Sequence, residues 1–158
     1  MLAEGEIPLV WNRMHEAEVR SLYFGEQAVR YTTLKQIITG TSFFLSSGAA
    51  ATLIASFPKW IPTVLAVIVA ILTAYSMAVS LDRRIGTICK LHSEWNHLNS
   101  EYEHLWNHWY EDDAEESLAD LSKRGREASQ IATEMPYDPE ALHKWENLVY
   151  SRLKKESK

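Results

Sequence analysis

The sequence predicts an all-α integral membrane protein, a two-helix transmembrane hairpin with long cytoplasmic helices. Three observations predict it. Every residue from Gln36 to Pro58 is uncharged, and so is every residue from Trp60 to Leu81, which leaves Lys59 as the only charge between Lys35 and Asp82. Apolar residues on the cytoplasmic side of these stretches recur at steps of three and four, the helical period. No stretch alternates with the period of a strand. The mean hydropathy of -0.23 conceals this, because the charges are segregated along the chain.

Each uncharged stretch exceeds the roughly 20 residues that a helix needs to cross about 30 Å of hydrocarbon. A buried core hairpin is the alternative, and it would need amphipathic partners long enough to wrap both helices. The expected organisation is an N-terminal cytoplasmic helix at 1–35, a first transmembrane helix at 36–58, a short extracytoplasmic turn at 59–62 and a second transmembrane helix at 61–81. A long cytoplasmic helical segment follows at 82–135, with a candidate break at 110–116, then a C-terminal helix and basic tail at 136–158. The opening residues, with Glu4 and Glu6, do not read as a cleavable signal.

The second span is the more apolar. Residues such as Ile61, Val64, Leu65, Val67, Ile68 and Ile71 contribute on the order of -3 to -5 kcal/mol to insertion. The first is diluted by seven hydroxyl residues and by Gly40 and Gly48. Pro58 and Pro62 flank Lys59 and Trp60, which suits a tight connection with Trp60 as an interface anchor. Arg30 and Lys35 precede the first span, and Arg83, Arg84 and Lys90 follow the second. The positive-inside rule therefore expects both termini in the cytoplasm, in keeping with one unpaired cysteine, Cys89, in a reducing compartment.

No Asp, Glu, Lys, Arg or His lies inside either span, which argues against proton relays, voltage sensors and most coupled transporters. Two helices are too few for one chain to enclose a pathway, so any pore is oligomeric and lined by hydroxyls. Thr39, Ser42 and Ser46 share one face and are the candidate lining residues; bonding to their own backbone is the plainer role. Ala66, Ala70, Ala74 and Ala78 recur every fourth position, as do Ser47, Ala51 and Ala55. Such stripes let helices approach closely in lipid, either closing the hairpin or meeting a neighbouring subunit.

On the cytoplasmic side Trp11 to Thr33 reads as a helix, with Val19, Leu22, Tyr23 and Tyr31 apolar and Glu16, Arg20, Gln27 and Arg30 solvated. Ile88, Leu91, Trp95, Leu98, Tyr102, Leu105 and Trp109 form a heptad seam. It argues for a helix that continues out of the membrane and packs along its length in a loose bundle. Asp112 with Glu115, and Asp113 with Glu116, have capping-box spacing. Asp138 and Pro139 read as N-cap and first helical residue, ahead of a last helix carrying Leu142, Trp145, Leu148, Val149 and Leu153.

Signatures of enzymes are absent: no phosphate-binding glycine loop, no GxSxG elbow, no HExxH pair and no CxxC. The expectation is a protein that is not an enzyme and carries no cofactor. The nearest thing to a metal site is the stripe His97, Glu101, His104 and His108, which reads more readily as a solvated face. From Leu91 to Ser122 there are nine acids and four histidines without a Lys or Arg, a field that points to pH or divalent-cation sensitivity or simply to a solvated face. The basic run Lys123 to Arg126 reads as solvated, and Cys89 as a small packed residue or a palmitoylation site. The net charge of -5 excludes a general nucleic-acid binder.

With these parts placed, the chain resembles the SLATT family, bacterial two-transmembrane effector domains associated with nucleotide-signalling and phage-defence systems. The resemblance rests on Tyr23 and Arg30 before the membrane, the short hairpin, Arg83 and Arg84 at its exit, and the long helix with Glu94-Trp95, Leu98, Glu101-Tyr102 and Leu105-Trp106. It implies a homo-oligomeric effector in the bacterial inner membrane that permeabilises or depolarises it during abortive infection. No sensing domain accompanies these helices, so the resemblance implies a separate cytoplasmic sensor or regulator. The other expectation is a non-conducting, membrane-anchored helical scaffold for a cytoplasmic partner.

Overall fold

The computed structural model describes residues 1–47 and 60–156, which form five α-helices and no strand. They are α1 (Ile7–Ser46), α2 (Trp60–Ala78), α3 (Leu81–Asn107), α4 (Ala114–Ala132) and α5 (Pro139–Glu156). The remainder of the expected first span, the turn up to residue 59, Ala51 and Ala55 lie outside the described residues. The chain divides into two compact units, one of Met1–Ala28 with Thr87–Lys158 and the other of Val29–Gly86.

The first unit is a helical bundle with a conventional core. Ile88, Leu91, Trp95, Leu98, Tyr102 and Leu105 are all buried, as the seam requires. From α1 come Val10, Ala17, Val19, Tyr23 and Phe24; from α4, Leu118, Leu121 and Ala128; from α5, Ala141 and Val149. Packing of α1 on α3 is direct. The rings of Trp11 and Trp106 lie 5.0 Å apart, and His92 Nδ1 donates to the Ser21 carbonyl at 2.8 Å.

The turn before α5 is tied to α1 by one phenol. Tyr23 Oη donates to the Pro136 carbonyl at 3.4 Å and accepts the Asp138 N–H at 3.1 Å. Asp138 caps α5 as its spacing predicts, its carboxylate accepting the Ala141 N–H at 3.0 Å. The Glu26 carboxylate takes the Trp145 indole N–H at 2.7 Å and Lys144 Nζ at 2.9 Å. Arg152 pairs with Glu18 further along. At the start of the chain Leu2 is buried, and its N–H donates to the Trp109 carbonyl at 3.0 Å.

Several expectations are corrected. The expected helix within 1–35 and the described part of the expected first span are one helix, α1, which runs from Ile7 through Ser46 without interruption, because nothing between them breaks the i to i+4 ladder. The second apolar helix does not reach residue 81 or continue outward unbroken. It stops at Ala78, and Ser80 adopts a left-handed φ of 49° before α3 begins. The break expected in the segment 82–135 is present, between Asn107 and Ala114. Trp109, beyond that end, is the one seam residue that is exposed.

Asp113 stands at the N-cap of α4, yet its side chain makes no capping bond. Gln27 is buried rather than solvated. Cys89 is exposed rather than packed, because it points away from the Ile88 and Leu91 side of α3.

Gly25 of α1 packs against His92 of α3. A Cβ there would lie 3.2 Å from Cε1 and Nδ1 of His92, a ring held in place by Ser21. Gly25→Val is therefore expected to destabilise the bundle by about 1–3 kcal/mol. Combined with His92→Ala, its penalty should fall below the sum of the two single changes. Denaturant titration of the four proteins followed by circular dichroism checks this.

Candidate functional site

In the unit Val29–Gly86 the burial pattern is inverted. Of the hydrophobic residues buried among the described residues, only Ile38 and Leu81 belong to it. No described side chain of α2 is buried, and Val64, Val67, Ile68, Ile71, Tyr75 and Met77 are all exposed, the last to 75%. Phe43 and Phe44 on α1 are exposed in the same way. An 18–20-residue apolar helix in the core of a soluble protein does the opposite.

Among the described residues no single helix is long and apolar enough to cross a membrane. At 19 residues and about 1.5 Å per residue, α2 spans roughly 28 Å. By length and composition the pair Thr63–Ala78 and Leu81–Asn107 meets the requirement together, bent by 45° at its break.

The last turns of α1 and the second half of α2 enclose a groove of about 770 Å³. Thr39 and Ser42 line it, joined by Thr73 and Ser76 from α2 and by Asp82 and Arg83. The side chain of Ser46 lies outside the described residues. The two residues from α2 are ones that a reading of the first span alone passes over, although Thr73 and Ser76 share a helical face at a spacing of three. Thr73 Oγ1 also donates to the Val69 carbonyl at 2.8 Å, the backbone bonding common to hydroxyls in apolar helices. Lys35, one turn before Thr39, forms an ion pair with Asp82. Ala66, Ala70, Ala74 and Ala78 are all exposed; the α2 residues facing the groove are Val69, Thr73, Ser76 and Met77.

In the bundle, the stripe His97, Glu101, His104 and His108 does not converge on one point. His97 Nε2 is 3.3 Å from Glu101 Oε1, while the rings of His104 and His108 stack with centroids 4.2 Å apart. The other Glu101 oxygen is taken by Arg124 Nη1. Among the described residues no group of three or more His, Cys, Asp or Glu could hold a metal ion.

Arg124 is the functional-looking residue that the sequence misplaces. It is not a solvated member of a basic run. Its Nε and Nη2 donate to Glu94 Oε1 at 3.2 and 3.0 Å, and Nη1 to Glu101. Burial works against the guanidinium charge, but the bonds and charges of the two carboxylates outweigh it and push its pKa further up.

Comparison of the chain with protein-family models, with curated proteins and with solved structures gives no match.

Two outcomes follow from the α3–α4 contact. Arg124→Ala leaves Glu94 and Glu101, two turns apart on α3, without their shared cation. It is expected to cost about 1–3 kcal/mol, less in high salt, as read by denaturant titration at two ionic strengths. Burial raises the Tyr102 phenol above its ordinary value of 10. The folded state then favours the neutral form, so its contribution is intact below pH 10 and is lost as pH climbs through the raised value. Alkaline melts should show that loss in the native chain and a smaller one in Tyr102→Phe.

Proposed function

We propose that the segment Val29–Gly86 inserts into a lipid bilayer, and that copies of the chain assemble there into an effector that makes the bacterial inner membrane permeable to ions. The observation that carries this reading is the inverted burial of α2. None of its described side chains is buried, and most of its large apolar ones are exposed, an arrangement that hydrocarbon satisfies and water does not. The basic residues Arg30, Lys35, Arg83 and Arg84 flank the apolar residues and favour a cytoplasmic location for both termini.

Conduction is supported by the hydroxyl-lined groove. Thr39, Ser42, Thr73 and Ser76 offer oxygen ligands to a hydrated ion, and a pure anchor has no use for them. The exposed stripe of Ala66, Ala70, Ala74 and Ala78 supplies a face on which a second copy could pack closely. In this reading the bundle receives the signal from a separate cytoplasmic sensor, as the resemblance to SLATT effectors implies. The chain performs no catalysis of its own.

The test is membrane potential in bacteria after induced expression. The comparison is with a variant carrying Thr39→Leu, Ser42→Leu, Thr73→Leu and Ser76→Leu. Rapid depolarisation is expected with the native chain and little with the variant, while both stay in the membrane fraction after carbonate extraction. A chain that extracts with carbonate contradicts insertion. Membrane retention with an undisturbed potential contradicts conduction and leaves a membrane-anchored scaffold.

A further inference from the structure

The bundle holds a cavity of about 260 Å³ between α1, α3 and α4, walled by Arg13, Glu16, Trp95, Tyr102, Ser122 and Arg126. We propose that it binds a small organic oxyanion, a carboxylate or phosphate carried on a compact, flat body.

The charge of the walls sets the sign of the ligand. Two guanidinium groups face one carboxylate, and that carboxylate is already engaged: Glu16 accepts Arg13 at 2.9 Å and Arg20 at 2.8 Å. Arg126 is exposed and makes no hydrogen bond or ion pair among the described residues. Its fork of N–H donors fits two oxygens of one oxyanion. A neighbouring cavity between α3 and α4 is lined instead by Glu101, Asp113, Glu116 and Asp120, so an anion is repelled there and selected here.

Trp95 supplies the second argument. It is 4% exposed, and its indole N–H has no acceptor. A buried donor left unmatched is costly, and native proteins rarely tolerate one. The Arg20 guanidinium lies over the Trp95 ring at 4.9 Å, which fixes the ring without satisfying the N–H. The N–H is closed to water, so a ligand oxygen that satisfies it enters with a small shift of the cavity wall. Tyr102 gives the cavity a second aromatic wall for the flat body.

Size limits the ligand as well. The volume falls just below the roughly 300 Å³ at which pockets for drug-sized molecules begin. Gly125 also lines the cavity, and a Cβ placed on it would meet nothing within 4 Å. A side chain added there enters open space rather than the core.

The proposal is independent of membrane conduction, and its test reads binding alone. The purified full chain in detergent micelles, labelled with ¹⁵N-tryptophan, is titrated with phenyl phosphate, with benzoate and with benzylammonium as the cationic control. Trp95→Phe assigns the Trp95 indole resonance. The expected result is a saturable shift of that resonance with one or both anions and none with benzylammonium. Whichever anion binds tighter identifies the oxyanion as phosphate or carboxylate.

Arg126→Gln, at an exposed position, should weaken binding about tenfold, which corresponds to ~1.4 kcal/mol. Gly125→Leu should abolish it without lowering the melting temperature. No saturable shift with either anion overturns the proposal. So does an equal response to benzylammonium, or undiminished binding in both variants.

Discussion

The apolar seam of α3 is the constraint on which the bundle depends. Six large side chains between Ile88 and Leu105 are buried on one helix face, each worth about 1.5–3 kcal/mol relative to exposure. No helix can bury such a stripe by itself, so α1, α4 and α5 are arranged around it. The polar bonds then set how each partner helix sits. Ser21 receives His92, Arg124 spans Glu94 and Glu101, and Glu26 receives Trp145 and Lys144. None of these bonds drives association as strongly as the seam does, but each selects one packing among the many that apolar contact alone would allow.

The two units solve the hydrophobic problem in opposite ways. The bundle turns its apolar residues inward and offers water a charged exterior. The segment Val29–Gly86 has few charges and leaves Phe43, Ile71 and Met77 uncovered. Exposed apolarity of that kind marks a surface that a membrane or another protein covers. Within the same segment hydroxyls gather in the groove formed by α1 and α2, where Thr39 and Ser42 meet Thr73 and Ser76. A polar seam inside an apolar exterior is the reverse of the bundle's plan.

Much of this was legible in the sequence, and the parts that were not share a cause. Periodicity identified the α3 seam residue by residue, because burial on a helix repeats with the helix. Charge-free runs identified the apolar segment, and Asp138 before Pro139 located the start of α5. What periodicity cannot register is a partner far along the chain. Arg124 sits in a basic run and looks solvated, until the fold brings it to carboxylates 23 and 30 residues away. Gln27 looks polar and outward, and the helices packed around it decide otherwise. The break at Ser80 carries no Gly or Pro to announce it. Half of the groove's hydroxyl lining is not legible because Thr73 and Ser76 sit in an otherwise apolar run, and only the fold brings them to Thr39 and Ser42.

The bundle is assembled from the two ends of the chain, with Leu2 hydrogen-bonded to Trp109. During synthesis this imposes an order of events. The first residues of α1 leave the ribosome long before α3 exists, so they have no apolar face to bury against. The segment 29–86 emerges next and is complete while the bundle still lacks its central helix. A nascent chain therefore exposes its most apolar stretch before it can close the bundle. In the membrane reading proposed above, delivery to a bilayer and folding of the bundle become consecutive events rather than competing ones.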